Sequence, residues 1–362
     1  MVNPKNEGQR GLSEMACLGY MVIPQPMVEV RCSVCGNQSY EVICTPARVK
    51  ADLEYLRRFH RRRLRPTKNG SPPPSSLADR ANFTQDYSTA IVACMVCGLV
   101  YRNPRPPAGA VKQAYEKEHY GHERLAAMFD AHVELYRPKA QYLRRWLAGS
   151  TVRIVEVGSF VGGFLTAGRE YGWQMLGVDP GKEVDAFCKE HGLRVVRETL
   201  GEVQLANNSI DCVAIWNTFD QLPDPEPTVS AARRLLRTGG VLALRIPSGE
   251  CFRRAQWLAT ILPRPFAGWV RVAMAWNNLM AFPYLHGYSV QTLDHLLMPY
   301  GFQRLAVEPD TLVRLSDSQT KTWAEWEERL LKGAWRAAYR LPGISAVALP
   351  TAPWFDAYYR VL

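Results

Sequence analysis

Residues 153–180, "RIVEVGSFVGGFLTAGREYGWQMLGVDP", constrain the fold more than any other part of the chain. They open with a mostly apolar stretch of strand length, Ile154-Val155-Glu156-Val157, and bend through a glycine-rich turn. "GGFLTAGREYG" follows with apolar residues at helical spacing, and "WQMLGVD" is a second apolar strand closed by an acid. Two apolar strands joined by a helix read as a parallel pair, because parallel strands need a crossover that returns the chain to the same end of the sheet. The alternation continues. "EVDAFCKEHG" predicts a helix, "LRVVRE" and "SIDCVAIWN" strands, "PEPTVSAARRLLRTGG" a helix stopped by two glycines, and "VLALRIP" a strand. "VQTLDHLLMPYGFQRLAVEP" adds a helix, a glycine stop and a strand able to extend the sheet. The expected architecture is α/β, a mainly parallel sheet with helices on both faces.

Open sheets of this kind hold ligands beyond the carboxyl ends of their strands, near the point where strand order reverses. The first turn holds the backbone of the ligand, and an acid about 20 residues later takes ribose hydroxyls. Gly158 and Asp179, 21 positions apart, have that spacing. A dinucleotide needs G-x-G-x-x-G, whose middle glycine lets backbone amides approach the pyrophosphate. Here the turn is Gly158-Ser159-Phe160-Val161-Gly162-Gly163, and Phe160 obstructs that approach. S-adenosylmethionine carries adenosine without a pyrophosphate. It asks only for close backbone approach at Gly158 and Gly162 and for an acid near its ammonium, which Glu156 can supply or organise. The turn thus suits S-adenosylmethionine better than NAD.

On these residues the chain resembles a class I S-adenosylmethionine-dependent methyltransferase over 152–305, with a Rossmann-like fold. "VEVGSFVGGF" matches the first motif, "GVDP" the second, and "SIDCVAIWNTFDQLPDPEPTVSAARRLLRTGGVLALRIPS" the fourth strand through the fifth. "LHGYSVQTLDHLLMPYGF" resembles a block common near the end of such domains. The resemblance implies that Glu156, Gly158 and Gly162 hold the methionine end of the cofactor, with Ser159 and Phe160 in the same turn. It implies Asp179 on the ribose, Thr199 and Leu200 flanking adenine, and Asn217 and Phe219 bordering the methyl group. Two departures stand out: Phe160 replaces the usual middle glycine, and Asp220-Gln221 replaces a Glu-His pair found in many relatives. Glutamine does not titrate near neutral pH, so a base at that position is missing. His286 and Tyr288, in "PYLHGYS", are the catalytic candidates of the segment expected to border the acceptor; His119 and His122 are weaker ones. His286 also reads as a hydrogen-bonded packing residue and Tyr288 as a core aromatic.

Cys32-x-x-Cys35 and Cys94-x-x-Cys97 are each followed by glycine, Gly36 and Gly98. Such turns offer four thiolates in a tetrahedron, which selects zinc in a structural role. The 58 residues between the pairs exceed the usual spacing, yet loop-closure entropy grows slowly with length. These knuckles resemble the amino-terminal zinc ribbon of a bacterial subgroup that includes sugar and natural-product methyltransferases. Cys17, Cys44, Cys188, Cys212 and Cys251 read as ordinary buried thiols.

The expected organisation is a zinc ribbon over 1–107 with a basic helical insertion at about 45–90, then a helical linker over 108–150. A methyltransferase domain follows at 151–315 with an aromatic insertion at 251–282, and an amphipathic helix and tail occupy 316–362. The net charge of +10 concentrates in 48–68, where nine Lys or Arg face Asp52 and Glu54. That segment reads as a solvated basic helix or as a patch for an anionic partner. Segment 251–282 holds six large aromatics, four arginines and no acid, which suits a lid, an apolar core insertion or a lipid interface. No run of eighteen apolar residues appears, and the expected location is cytoplasmic. The function expected is methyl transfer to a small-molecule acceptor: a sugar, glycolipid or secondary metabolite. The rivals are a nucleic-acid-directed enzyme or binder, a non-catalytic scaffold of the same fold, and an NAD-dependent enzyme.

Overall fold

A computed structural model describes residues 27–65, 87–117, 120–147, 149, 151–280, 282–312, 320–341 and 349–362. His119 and Cys17 lie outside these residues, as does the Pro/Ser stretch at 69–77. The larger sheet has seven strands. Five of them, β4 (Arg153–Val157), β5 (Gln174–Val178), β6 (Val195–Val196), β7 (Ile210–Trp216) and β8 (Leu236–Pro247), are parallel. Val157 pairs with Val178 on one side and with Ile215 on the other. With β10 (Phe302–Asp310) and β11 (Trp354–Val361) added, the order is β10-β11-β8-β7-β4-β5-β6. Helices α4 (Gly163–Arg169), α5 (Lys182–Glu190) and α6 (Glu226–Leu235) make the crossovers. The α/β architecture expected from the alternating pattern is present. Every residue of β7 is buried, as a strand covered on both faces must be.

The carboxyl-terminal edge of the sheet differs from expectation. The tail assigned to 316–362 as an appendage returns as β11, antiparallel between β8 and β10, with Ala357 opposite both Leu244 and Val307. Asp356 masks this strand in the sequence, because a carboxylate inside an apolar run argues against burial. It is buried nonetheless, bonded to Arg245 of β8 at 2.9 Å and to Lys139, while Asp310 of β10 takes Arg245 at 2.8 Å. Opposite charges from four elements compensate one another, the condition under which ionic groups survive in a core.

Ahead of this domain, β1 (Tyr40–Cys44), β2 (Ala90–Cys94), β3 (Val100–Asn103) and the short β9 (His286–Gly287) form an antiparallel sheet in that order. Its fourth strand therefore comes from within the methyltransferase-like segment, nearly two hundred positions later in the chain. Cys32, Cys94, Leu99 and Tyr101 share one core with Leu242, Leu244 and Tyr288. The amino-terminal unit is a layer packed on the larger domain rather than a separate bead.

Helix α1 (Pro46–Arg63) starts at Thr45, whose hydroxyl accepts the Arg48 N–H at 3.4 Å. It is not simply a solvated basic rod. Its inner face, Leu53, Leu56 and Phe59, packs against helices α7 (Gly249–Ile261) and α8 (Arg264–Trp276), which together make up most of 251–282. That segment is thus half core and half surface: Phe252, Met274 and Trp276 are inside, Trp257 and Trp269 outside. Residues 108–150 form α2 (Ala108–Lys117) and α3 (His122–Leu143), and α3 lies over α4. Helix α9 (Val290–Leu297) begins in a capping box between Ser289 and Thr292, and α10 (Thr322–Tyr339) precedes β11. Among the described residues, no helix is long and apolar enough to cross a membrane.

Candidate cofactor and acceptor site

Strand order reverses between β4 and β7: the chain runs outward through β5 and β6, then returns to β7 and β8. The two carboxyl ends meeting at this switch point are Val157-Gly158 and Trp216-Asn217. Sheet geometry therefore gathers Glu156, Gly158, Ser159, Phe160, Gly162, Asp179 and Asn217 at one edge. Gly158 has φ 73° and Gly162 φ 76°, conformations that disfavour a side chain. A Cβ on Gly158 would also collide with the Thr218 side chain.

Phe160 itself has φ 43°, so the turn keeps a left-handed conformation where a glycine is customary. Its ring lies in the layer beneath α3, 5.0 Å from the Tyr120 ring and 5.5 Å from His132. The backbone N–H of Phe160 donates to Asp179 Oδ2 at 2.9 Å, and Gly181 N–H donates to Oδ1 at 2.9 Å. The turn is thereby tied to the end of β5 by a carboxylate that takes one N–H on each oxygen.

Two buried acids share this edge. Burial first, and the neighbouring Asp179 second, hold the Glu156 carboxyl well above the ordinary range. Burial also raises Asp179, against the lowering effect of the Gly181 and Phe160 N–H groups. Glu156 Oε2, Ser159 Oγ and Asn217 Oδ1 are buried without a hydrogen-bond partner among the described residues. Orphaned polar atoms of this kind are costly unless something else occupies them. Asn217 has φ 57°, and its amide nitrogen donates to Tyr136 Oη at 3.3 Å. Backbone strain on facing strand ends, beside unpartnered oxygens, is the pattern of a ligand cradle.

Helix α3 covers the turn. Gly163 is required there, since a Cβ would strike His132. Burial pushes the His132 imidazole down to about 4, keeping it neutral. The sequence does not single out His132 and Tyr136, although their i, i+4 spacing places both on one helical face. Tyr115 on α2 gives no sequence signal either. Its hydroxyl donates to Gln221 Oε1 at 2.7 Å, Gln221 Nε2 donates to the Asn217 carbonyl at 2.6 Å, and the Tyr115 ring stacks 6.4 Å from Tyr284. These three half-buried side chains form a polar and aromatic wall beside the end of β7. Gln221 is a link in it, fixed at both ends of its amide.

Leu200 is buried beyond β6, with the exposed Thr199 bonded to Glu202 at 2.8 Å. Phe219 is in the core, its ring 5.2 Å from that of Tyr288. His286 and Tyr288 lie on and just after β9 and are buried. Arg105 Nη1 meets His286 Nε2 at 2.7 Å. A guanidinium can only donate, so this nitrogen is the acceptor and the ring is neutral. Burial, reinforced by Arg105, keeps the His286 pKa well below its usual value, while burial and then Asp220 push the Tyr288 hydroxyl well up. The Nε2 lone pair of His286, a catalytic candidate of the sequence, is thus engaged by Arg105. His122 is exposed and pairs with Glu190 at 2.9 Å.

The cysteines do come together. Sγ atoms of Cys32, Cys35, Cys94 and Cys97 all lie within 4.8 Å of one another, with Cys32–Cys97 at 3.4 Å and Cys35–Cys94 at 3.5 Å. A tetrahedron of thiolates about 2.3 Å from zinc has edges of about 3.8 Å, so the donor set fits that ion. Each knuckle closes through its glycine: Gly36 N–H donates to the Cys32 carbonyl at 2.8 Å and Gly98 N–H to that of Cys94 at 3.0 Å. Of the other thiols, Cys44, Cys188, Cys212 and Cys251 are buried.

A methyltransferase domain family matches residues 155–244, from mid-β4 into β8. Residues 155–244 thus carry a methyltransferase domain, built on a mainly parallel sheet. No curated protein matches the chain. Among solved structures, it is similar to an S-adenosylmethionine-dependent methyltransferase of Thermotoga maritima, at 18% identity over 64% of this chain and 92% of that one, TM-score 0.40. A second, from Archaeoglobus fulgidus, is 18% identical over 63% and 94%, TM-score 0.41. A third is phosphoethanolamine N-methyltransferase 2 of Haemonchus contortus, 15% identical over 72% and 62%, TM-score 0.43. The matched methyltransferase segment contains the whole switch-point edge except the helices that cover it.

Proposed function

We propose that the switch-point edge binds S-adenosylmethionine and directs its methyl group to a small-molecule acceptor, with the four cysteines holding a structural zinc. The observation that carries the reading is the pair of buried, unpartnered oxygens, Glu156 Oε2 and Asn217 Oδ1, on adjacent strand ends beside a strained turn. A carboxyl whose charged form burial disfavours is a natural partner for a ligand cation, which supplies a compensating charge and a hydrogen bond at once. Glu156 would take the ammonium of the methionine end, and the backbone of Gly158, Ser159 and Gly162 would pass close to it. Asp179 uses one lone pair per oxygen on Phe160 and Gly181, leaving acceptor capacity for two ribose hydroxyls. Thr199 and Leu200 would border adenine. Phe160 contributes its N–H and not its ring, and this reconciles a phenylalanine with the ligand.

S-adenosylmethionine, when bound, supplies an electrophilic methyl on a sulfonium sulfur, so in-line placement of the acceptor is the main demand on the protein. Asn217 shapes the approach, with Phe219 packed in the core behind it. Tyr115, Gln221 and Tyr284 form the wall against which the acceptor rests, and their mix of hydroxyls, amide and ring faces suits a sugar, glycolipid or aromatic metabolite. His286 positions Arg105, and Tyr288 packs behind Phe219; neither is a base in this arrangement. The accepting atom is then one that is already nucleophilic or that gives its proton to solvent. The domain plan that follows is a zinc-bound layer and two covering helices around a methyltransferase sheet completed by the carboxyl-terminal strand.

Calorimetric titration with S-adenosylhomocysteine, alongside NAD, tests the reading. Saturable binding weakened about tenfold or more by Glu156→Gln and by Asp179→Ala is expected, since each removes a charge-assisted hydrogen bond worth about 1.5–3 kcal/mol. NAD should give no heat. Binding of NAD, or no response to S-adenosylhomocysteine from folded, zinc-loaded protein, refutes it.

A further inference from the structure

Helices α7 and α8 form an antiparallel hairpin whose base is buried and whose tip is not. Toward the base, Phe252 and Trp276 are in the core. At the tip, Trp257, Ile261, Phe266 and Trp269 are exposed by 60%, 54%, 61% and 66%. Four large apolar side chains in the thirteen residues 257–269 exceed the scattered surface leucine that needs no explanation. Trp257 and Ile261 are i, i+4 on α7, and Phe266 and Trp269 are i, i+3 on α8, so each pair shares one helical face.

Charge identifies what covers this tip. From Cys251 to Leu293 the sequence has no acidic residue. Arg264 at the start of α8 is exposed and has no ion pair among the described residues. The adjoining helix α1, joined to α8 by the Asp52–Arg271 contact at 3.1 Å, exposes Lys50, Arg58, Arg61 and Arg62. We propose that the α7–α8 tip is a membrane-docking surface that seats in the headgroup region of an anionic phospholipid bilayer, with Trp257, Ile261, Phe266 and Trp269 inserted and Arg264 on lipid phosphate.

Tryptophan is favoured at that depth because its ring is apolar while its N–H finds water or phosphate. Basic residues near an anionic surface gain long-range attraction, and the net charge of +10 points the same way. A nucleic acid is a poorer fit. Backbone neutralisation needs many cations at the contact, and this tip offers one unpaired arginine among four apolar groups. A second copy of the chain would bring two like-charged tips together.

Flotation of the full chain with lipid vesicles decides the matter. The protein should float with vesicles of phosphatidylcholine mixed with phosphatidylglycerol and not with phosphatidylcholine alone, and high salt should release it. Replacing Trp257, Ile261, Phe266 and Trp269 by serine should reduce partitioning at least about tenfold, since the buried apolar area supplies most of the binding. Arg264→Glu should reduce it about threefold or more. S-adenosylhomocysteine binding should be unchanged in both variants, and this reports that they are folded. If the fourfold variant does not fold, Trp269→Ser and Arg264→Glu singly carry the test. The proposal is overturned if the wild-type chain ignores anionic vesicles, or if the folded variants float as well as it does. It is also overturned if the chain fails to float yet forms a dimer, by sedimentation, that the serine substitutions abolish; the tip would then belong to a second copy.

Discussion

Asp220 offers the sharpest test of the buried electrostatics at the site. It follows β7 in the turn that carries Asn217 and Gln221, its Oδ1 has no hydrogen-bond partner among the described residues, and burial pushes its carboxyl up to about 8. In the unfolded chain the same group titrates near 3.8. Between these values the native state holds a proton that the unfolded state has released. Stability is therefore greatest below the unfolded pKa, falls as pH rises toward 8, and is flat above it. At about 1.4 kcal/mol per pH unit, a slope that fades around pH 8, the rise from pH 6 to 9 costs about 3 kcal/mol. Asp220→Asn keeps the shape and removes the titration. The stability gap between the variant and the wild type should thus widen by about 3 kcal/mol between pH 6 and pH 9. Urea unfolding of both proteins at pH 6, 7, 8 and 9, with zinc and reductant present, measures that gap; other titrating groups cancel in the difference. Urea midpoints that separate equally at every pH would refute the claim that Asp220 is protonated in the native protein.

Two further perturbations probe the turn and the cysteines. Phe160→Gly relieves a left-handed φ of 43°, a strain of about 1 kcal/mol, but removes the ring from between Tyr120 and His132 and adds backbone entropy to the unfolded chain. The loss of packing wins, so the variant should be less stable by about 1–3 kcal/mol and still bind S-adenosylhomocysteine; a raised melting temperature would contradict this account. Removal of metal should be equally legible. Elemental analysis should find one zinc per chain, and a strong chelator should lower the melting temperature by roughly 10 °C or more. An unchanged melt after complete metal removal would mean that the four thiols pack without an ion.

How much of this is legible in the sequence follows from the range of each signal. The alternation of apolar runs with helical spacing marks the parallel strands β4 to β8, because the pleat and the helix repeat impose periods of two and 3.6 on any buried face. The spacing of Gly158 and Asp179 locates the switch-point edge, and the two Cys-x-x-Cys turns announce a four-thiolate cluster despite 58 intervening residues. These are local rules, each satisfied within a few residues. What escapes is non-local. Asp356 hides β11, since its burial makes sense only with Arg245 and Lys139, over a hundred positions away. Tyr115, His132 and Tyr136 join the site only because α2 and α3 fold back over it. His286 looks like a base until Arg105, 181 positions away, is seen on its nitrogen. Sequence determined which elements form and which turn lies at the switch point of the sheet, because those depend on neighbours along the chain. Tertiary structure decided which charges are compensated and which side chains still have an atom free for chemistry, because burial and partners are properties of packing.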